Sequence, residues 1–169
     1  MLTTLTTSAD GLLEGPTAEL VKERRSNIQS SSASSCTVLL IEDDPEQLAF
    51  WSSALKNCSS HYSVLEAASG QEGLKLLSHQ EVDCVVLDLD LSDSSGFQFL
   101  LDLVPNRNRP EIPVLIFTRL QNPTLANIAL ENGAQAYLIK QQTSADTLHE
   151  AIQKSVTAVA SALRTGPKV

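Results

Sequence analysis

At residues 83–88 the chain reads DCVVLD, four apolar residues in succession enclosed by two aspartates. A run this short, without polar alternation and with paired valines, reads as a strand buried on both faces. Asp88 stands at its carboxyl end, where the apolar run gives way to LDLSDSSG at 89–96. Outward from this strand the same alternation repeats. Residues 37–41 (TVLLI), 62–67 (YSVLEA), 113–118 (PVLIFT) and 135–139 (QAYLI) are the other strand candidates.

Between them lie segments of helical period with start and stop signals. Asp44-Pro45 is an N-cap followed by proline at the first helical position, with Leu48, Trp51 or Ser52, and Leu55 on one face. Ser69-x-x-Glu72 is a capping box ahead of Leu74, Leu76 and Leu77. Residues 96–104 (GFQFLLDLV) make a third helix. Asn122-Pro123 opens a fourth, with Gly133 just past its end. Ser144 caps a long fifth, with Leu148, Ile152, Val156, Val159 and Leu163 spaced by three or four residues.

Five βα units with continuous apolar strands imply an α/β fold, a parallel sheet covered by helices on both faces. Right-handed crossovers leave few topologies, and ligands of such sheets bind at the carboxyl ends of the strands. The residues there are Glu42, Asp43 and Asp44 after the first strand, Asp88 and Asp90 after the third, Thr118 after the fourth and Lys140 after the fifth. Clustered carboxylates raise one another's pKa unless a cation sits among them. Mg2+ suits such a site because it prefers a few carboxylate oxygens together with waters and phosphate oxygens. With a phosphoryl donor, the Asp88 carboxylate could attack phosphorus to give an acyl phosphate, while Lys140 and Thr118 meet the transferred oxygens. Each residue alone has a plainer reading. The acids could be solvated loop residues, Asp88 could cap a turn, and Tyr137 could simply pack.

The 169 residues are 42% hydrophobic but only 4% aromatic, enough for one core built from Leu, Val, Ile and Ala. The net charge of −8 argues against non-specific nucleic-acid binding, where phosphates must be met by Lys and Arg. Cys36, Cys58 and Cys84 have neither disulfide-framework nor zinc spacing, and Cys84 reads as a core residue. No stretch reads as a signal peptide or a membrane span, so a cytoplasmic location is expected. Residues 1–36 are rich in Ser and Thr and read as a flexible extension, with a short helix considered at 17–28. The domain is expected over 37–163 and a short tail over 164–169, too short for an output domain. The chain reads as a stand-alone unit or a piece of a larger regulator or hybrid kinase.

The blocks LLIEDDP, CVVLDLDLSDSSG, PVLIFT and GAQAYLIK together resemble the response-regulator receiver family of two-component signalling, over about residues 37–163. The resemblance implies a flavodoxin-like (βα)5 doubly wound fold with strand order 2-1-3-4-5; a family member is a standing example of that fold. It implies that Asp88 is the phosphoacceptor, supplied by a sensor histidine kinase or phosphotransfer protein. It implies Mg2+ bound by Asp43, by Asp88 and by the backbone carbonyl of Asp90, with Glu42 acting through water. Thr118 matches the switch hydroxyl, Tyr137 the aromatic that follows it, and Lys140 the active-site lysine.

The expected outcome is a change of the face formed by the fourth helix, fifth strand and fifth helix. An unidentified downstream protein or a phosphorylation-linked homodimer would read it. The chain is not expected to be an enzyme, to enter a membrane or to bind nucleic acid directly. Three positions depart from the family pattern. Ser92 replaces a usual proline and is expected to loosen the loop. Arg119 replaces a small residue and could screen the site, slow phosphorylation or pair with Asp90. Gln141 replaces a common proline. Two alternatives remain: a haloacid-dehalogenase-like phosphatase using Asp88 and Asp90, and a degenerate receiver serving as a docking module. His61, His79 and His149 fall away from the strand ends.

Overall fold

The computed structural model describes residues 35–93, 96–104 and 111–165. The helix considered at 17–28 and nearly all of the expected extension lie outside these residues. Among the described residues five strands alternate with five helices. They are β1 (Cys36–Ile41), α1 (Pro45–Cys58), β2 (Tyr62–Ala67), α2 (Gly70–His79), β3 (Cys84–Leu87), α3 (Gly96–Leu103), β4 (Val114–Thr118), α4 (Pro123–Glu131), β5 (Ala136–Ile139) and α5 (Ala145–Thr165). A short 3-10 turn, Lys140–Gln142, links β5 to α5. The strands form one parallel sheet in the order β2-β1-β3-β4-β5. The first strand starts one residue earlier than expected, and the last helix continues two residues past 163.

The central strands are apolar throughout because each face meets a different helical layer. Leu39, Ile41, Val85, Leu87, Val114 and Ile116 pack with Phe99 and Leu100 of α3, Ala129 of α4, and Leu76 and Leu77 of α2. The alternate residues Val38, Leu40, Cys84, Val86, Leu115 and Phe117 pack with Trp51 and Leu55 of α1 and Leu148 and Ile152 of α5. Leu55, Leu87, Leu100 and Leu148 are fully buried; truncating such a leucine to alanine costs about 2–5 kcal/mol. The edge strands β2 and β5 are only partly buried, since each lacks a neighbour on one side.

The helix starts follow the sequence signals. The Asp44 carboxylate accepts from Glu46 N and Gln47 N at 3.0 and 3.2 Å. Asn122 accepts from Thr124 N at 2.9 Å, and Ser144 Oγ from Thr147 N at 3.1 Å. In the capping box Ser69 Oγ accepts from Glu72 N at 3.1 Å, but the Glu72 carboxylate reaches back to Ala68 N at 2.8 Å instead of the cap residue itself. Gly133 takes a φ of 100°, the left-handed conformation that ends α4 and that glycine adopts without a Cβ clash. On α1 both Trp51 and Ser52 are buried, and on α2 Leu74 faces solvent.

Register fixes the level of the strand ends. Ile41 pairs with Leu87, Leu87 with Ile116, and Thr118 with Ile139. Glu42, Asp88, Thr118 and Lys140 therefore leave the sheet along one edge.

Candidate phosphoacceptor site

Four polar side chains are buried at that edge: Glu42, Asp88, Thr118 and Lys140. They come from four different strands. Lys140 Nζ donates to Asp88 Oδ2 at 2.6 Å and also to Glu42 Oε2. The remaining Glu42 oxygen accepts from Asp44 N at 3.2 Å, and Asp88 Oδ1 accepts from Asp90 N at 3.1 Å. Lys140 Nζ also lies 5.9 Å from the centre of the Phe117 ring.

The two carboxylates differ in acidity although they share one ammonium. Burial pushes both up. For Asp88 the bonds from Lys140, Asp90 N and Thr118 outweigh burial and hold its pKa below the ordinary aspartate value. For Glu42 burial wins over Lys140, with the Asp88 charge adding to it, and its pKa is raised. The site thus holds more buried carboxylate than one ammonium neutralises.

The remaining expected residues are placed less deeply. Asp43 is half-buried and its Oδ2 accepts from Ser92 N at 2.8 Å. Proline at 92 has no N–H and could not make this bond. Ser92 therefore ties the loop to Asp43, where the sequence suggested loosening. Asp90 is exposed. Tyr137 is half-buried, and its hydroxyl donates to Leu120 O at 2.8 Å. Leu120 N in turn donates to Thr118 Oγ1 at 3.3 Å, so Thr118 and Tyr137 are joined through one residue. Arg119 does not pair with Asp90: its guanidinium lies 4.0 Å from Asp44 Oδ2. His149 packs edge-on against Tyr62, away from the site.

Two features escaped the sequence reading. Asp93 accepts from Gly70 N and Gln71 N at 3.1 and 3.2 Å, so the loop after β3 holds the start of α2. Gly96 is packed so closely that a Cβ would lie 2.6 Å from Leu89 Cα, which keeps α3 hard against the segment leaving Asp88. Only the glycine itself signalled the second; nothing local signalled the first.

Among the described residues no three acidic, histidine or cysteine side chains are gathered as a ready metal cage. The donor set nevertheless suits Mg2+, which takes one or two carboxylates with carbonyl, water and phosphate oxygens. The excess buried negative charge and the raised Glu42 fit an added cation.

Residues 38–153 match the response regulator receiver domain family. The chain belongs to that family and carries the receiver domain of two-component response regulators, a phosphorylation-controlled signalling domain. It is 30% identical over 120 residues to a probable cyclic di-GMP phosphodiesterase of Vibrio cholerae, covering 71% of this chain and 26% of that protein. It is 33% identical over 119 residues to the transcriptional regulatory protein GlrR of Escherichia coli, covering 70% of this chain and 26% of that protein. The chain thus spans about a quarter of the length of these curated relatives. Among solved structures, a CheY-like receiver domain protein of Methanospirillum hungatei superposes with a TM-score of 0.67 at 23% identity, covering 76% of this chain and 98% of that one. A receiver domain of Clostridium thermocellum superposes with a TM-score of 0.65 at 26% identity, covering 73% and 95%. The flavodoxin-like fold with strand order 2-1-3-4-5 is thereby established.

Proposed function

We propose that Asp88 is the residue of this receiver that accepts the phosphoryl group, from a sensor histidine kinase or a phosphotransfer protein. The observation that carries this is the buried Lys140–Asp88 bond at 2.6 Å, at the sheet edge where Thr118 also ends its strand. A lowered pKa keeps the Asp88 carboxylate ionised, the form that attacks phosphorus. In transfer a new oxygen–phosphorus bond forms at Asp88, the donor's phosphorus–nitrogen bond breaks, and the imidazole leaves with that electron pair. Mg2+ held by Asp43, Asp88 and the Asp90 carbonyl, with Glu42 through water, would supply positive charge to the transferring oxygens. Lys140 then shifts from carboxylate pairing to the phosphoryl oxygens.

Thr118 is the switch. Its hydroxyl now bonds Asp88 and accepts from Leu120 N; swinging the side chain towards a phosphoryl oxygen draws it from Leu120 N and disturbs Tyr137 through Leu120. A two-state shift of the α4–β5–α5 face follows, driven by contacts that exist only with the phosphoryl group. A downstream protein or a second copy of the chain reads that face. In this reading the chain is not an enzyme, works in the cytoplasm and does not bind nucleic acid directly. The match of residues 38–153 to the receiver family does not favour a dehalogenase-like phosphatase.

The test is incubation with Mg2+ and acetyl phosphate, followed by intact mass. One phosphoryl adduct is expected in the wild type and none in Asp88→Asn. An adduct that survives Asp88→Asn, or none in the folded wild type, would remove Asp88 from this role.

A further inference from the structure

We propose that Arg119 reaches across the mouth of the Asp88 site and binds the phosphoryl oxygens directly, held in reserve by Asp44 until they arrive. The inference rests on Asp88 being the phosphoacceptor. Its geometry comes from the strand order. Asp44 follows β1 and Arg119 follows β4, and β3, which ends at Asp88, lies between those two strands. Neighbouring strands are about 4.8 Å apart, so the side chains bridge roughly 10 Å. A guanidinium 4.0 Å from Asp44 Oδ2 therefore reaches across the position of β3, on the carboxyl-end side of the sheet.

The backbone that carries Arg119 is anchored on both sides. Thr118 is fully buried at the end of β4, and Leu120 O accepts the Tyr137 hydroxyl at 2.8 Å. The pair itself is loosely held: the Arg119 side chain is 49% exposed and that of Asp44 34%, at the limit of ion-pair distance. Such exposed pairs contribute little and exchange readily. Arginine prefers a phosphoryl group, which it can meet with two parallel hydrogen bonds. The site also needs the charge. Lys140 is already engaged by Glu42 and Asp88, and an incoming phosphoryl group adds negative oxygens to an edge rich in carboxylate. Asp44 is joined to the same cluster through its N–H on Glu42 Oε1.

The two partners of a merely structural ion pair would behave alike when removed. Here they act in opposite directions. Asp44→Asn keeps a good helix cap but releases Arg119. The probe is beryllofluoride with Mg2+, a phosphoryl mimic, with bound and free fluoride followed by fluorine NMR. Arg119→Ala should weaken binding about tenfold, the size of a charge-assisted contact. Arg119→Lys should recover only part of it, and Asp44→Asn should tighten it several-fold. In the Arg119→Ala background Asp44→Asn should have no effect. Unchanged binding in Arg119→Ala, or shifts of the same sign for both single variants, overturns the proposal while leaving Asp88 in place. A folded wild type that binds no beryllofluoride, or binding that survives Asp88→Asn, overturns the reading of Asp88 and this one with it.

Discussion

Two glutamates of this domain each accept a bond from a lysine, and their acidities move in opposite directions. Glu66 on β2 accepts from Lys56 at 2.9 Å and from Ser52, and both bonds lower its pKa. Glu42 accepts from Lys140, yet its pKa is raised. The difference is solvent. The Lys56 and Glu66 side chains are 49% and 42% exposed; those of Lys140 and Glu42 are 3% and 2%. Water stabilises both charges of the outer pair with or without the partner. The inner pair has given up that hydration, and the one ammonium is shared with Asp88. The outer pair is an ordinary product of folding. The inner cluster holds charge at a cost, the kind of perturbed burial that marks candidate functional sites.

The strongest way to break the comparison is to remove each lysine. Lys140→Met leaves two buried carboxylates without a cation and should cost about 3–5 kcal/mol at neutral pH, measured by urea denaturation in chelator. Acidification should restore part of the loss by protonating Glu42 and Asp88. A cost below that of Lys56→Met would refute the account.

The glutamates themselves give an effect of intermediate size, read from pH profiles. A raised folded pKa means that Glu42 ionisation destabilises the fold. That penalty is absent below the unfolded glutamate value and complete above the raised folded one. Wild type should therefore gain stability relative to Glu42→Gln as pH falls through that window. Glu66 has a lowered pKa, so its contribution is present above the ordinary glutamate value and lost as pH falls through the lower folded one. Wild type should lose stability relative to Glu66→Gln there. Parallel profiles for the two variants would contradict the assignment of burial as the cause.

The smallest effect belongs to Lys56→Met, at most about 1 kcal/mol and reduced by added salt. A larger loss would mean that the outer pair is not merely a surface contact.

Much of the sheet edge was legible before any coordinates. Runs such as DCVVLD and PVLIFT mark strands by continuity alone, because a strand covered on both faces has no polar side to show. Given five βα units, the carboxyl-end rule picks out Glu42, Asp43, Asp44, Asp88, Asp90, Thr118 and Lys140, and of these the structure buries Glu42, Asp88, Thr118 and Lys140 together. Cap signals at Asp44, Asn122 and Ser144 are local chemistry and were equally readable. The loops were harder. Ser92 looked like a loss of stiffness, yet its N–H is what Asp43 holds. Arg119 offered Asp90 as a partner, and the geometry placed it beside Asp44 instead. Asp93 at the start of α2 joins segments more than twenty residues apart.

The sequence by itself determined the alternation of buried strands and amphipathic helices, the helix starts, and which polar residues would end the strands. Those features are set by periodicity and by hydrogen bonds between near neighbours. The tertiary structure alone decided which charges meet. Lys140 and Glu42 are 98 residues apart, and only the parallel order β1-β3-β4-β5 and its register bring them to one buried point. How far that point lies from water then decides whether a lysine–glutamate pair lowers an acid's pKa, as at Glu66, or fails to, as at Glu42.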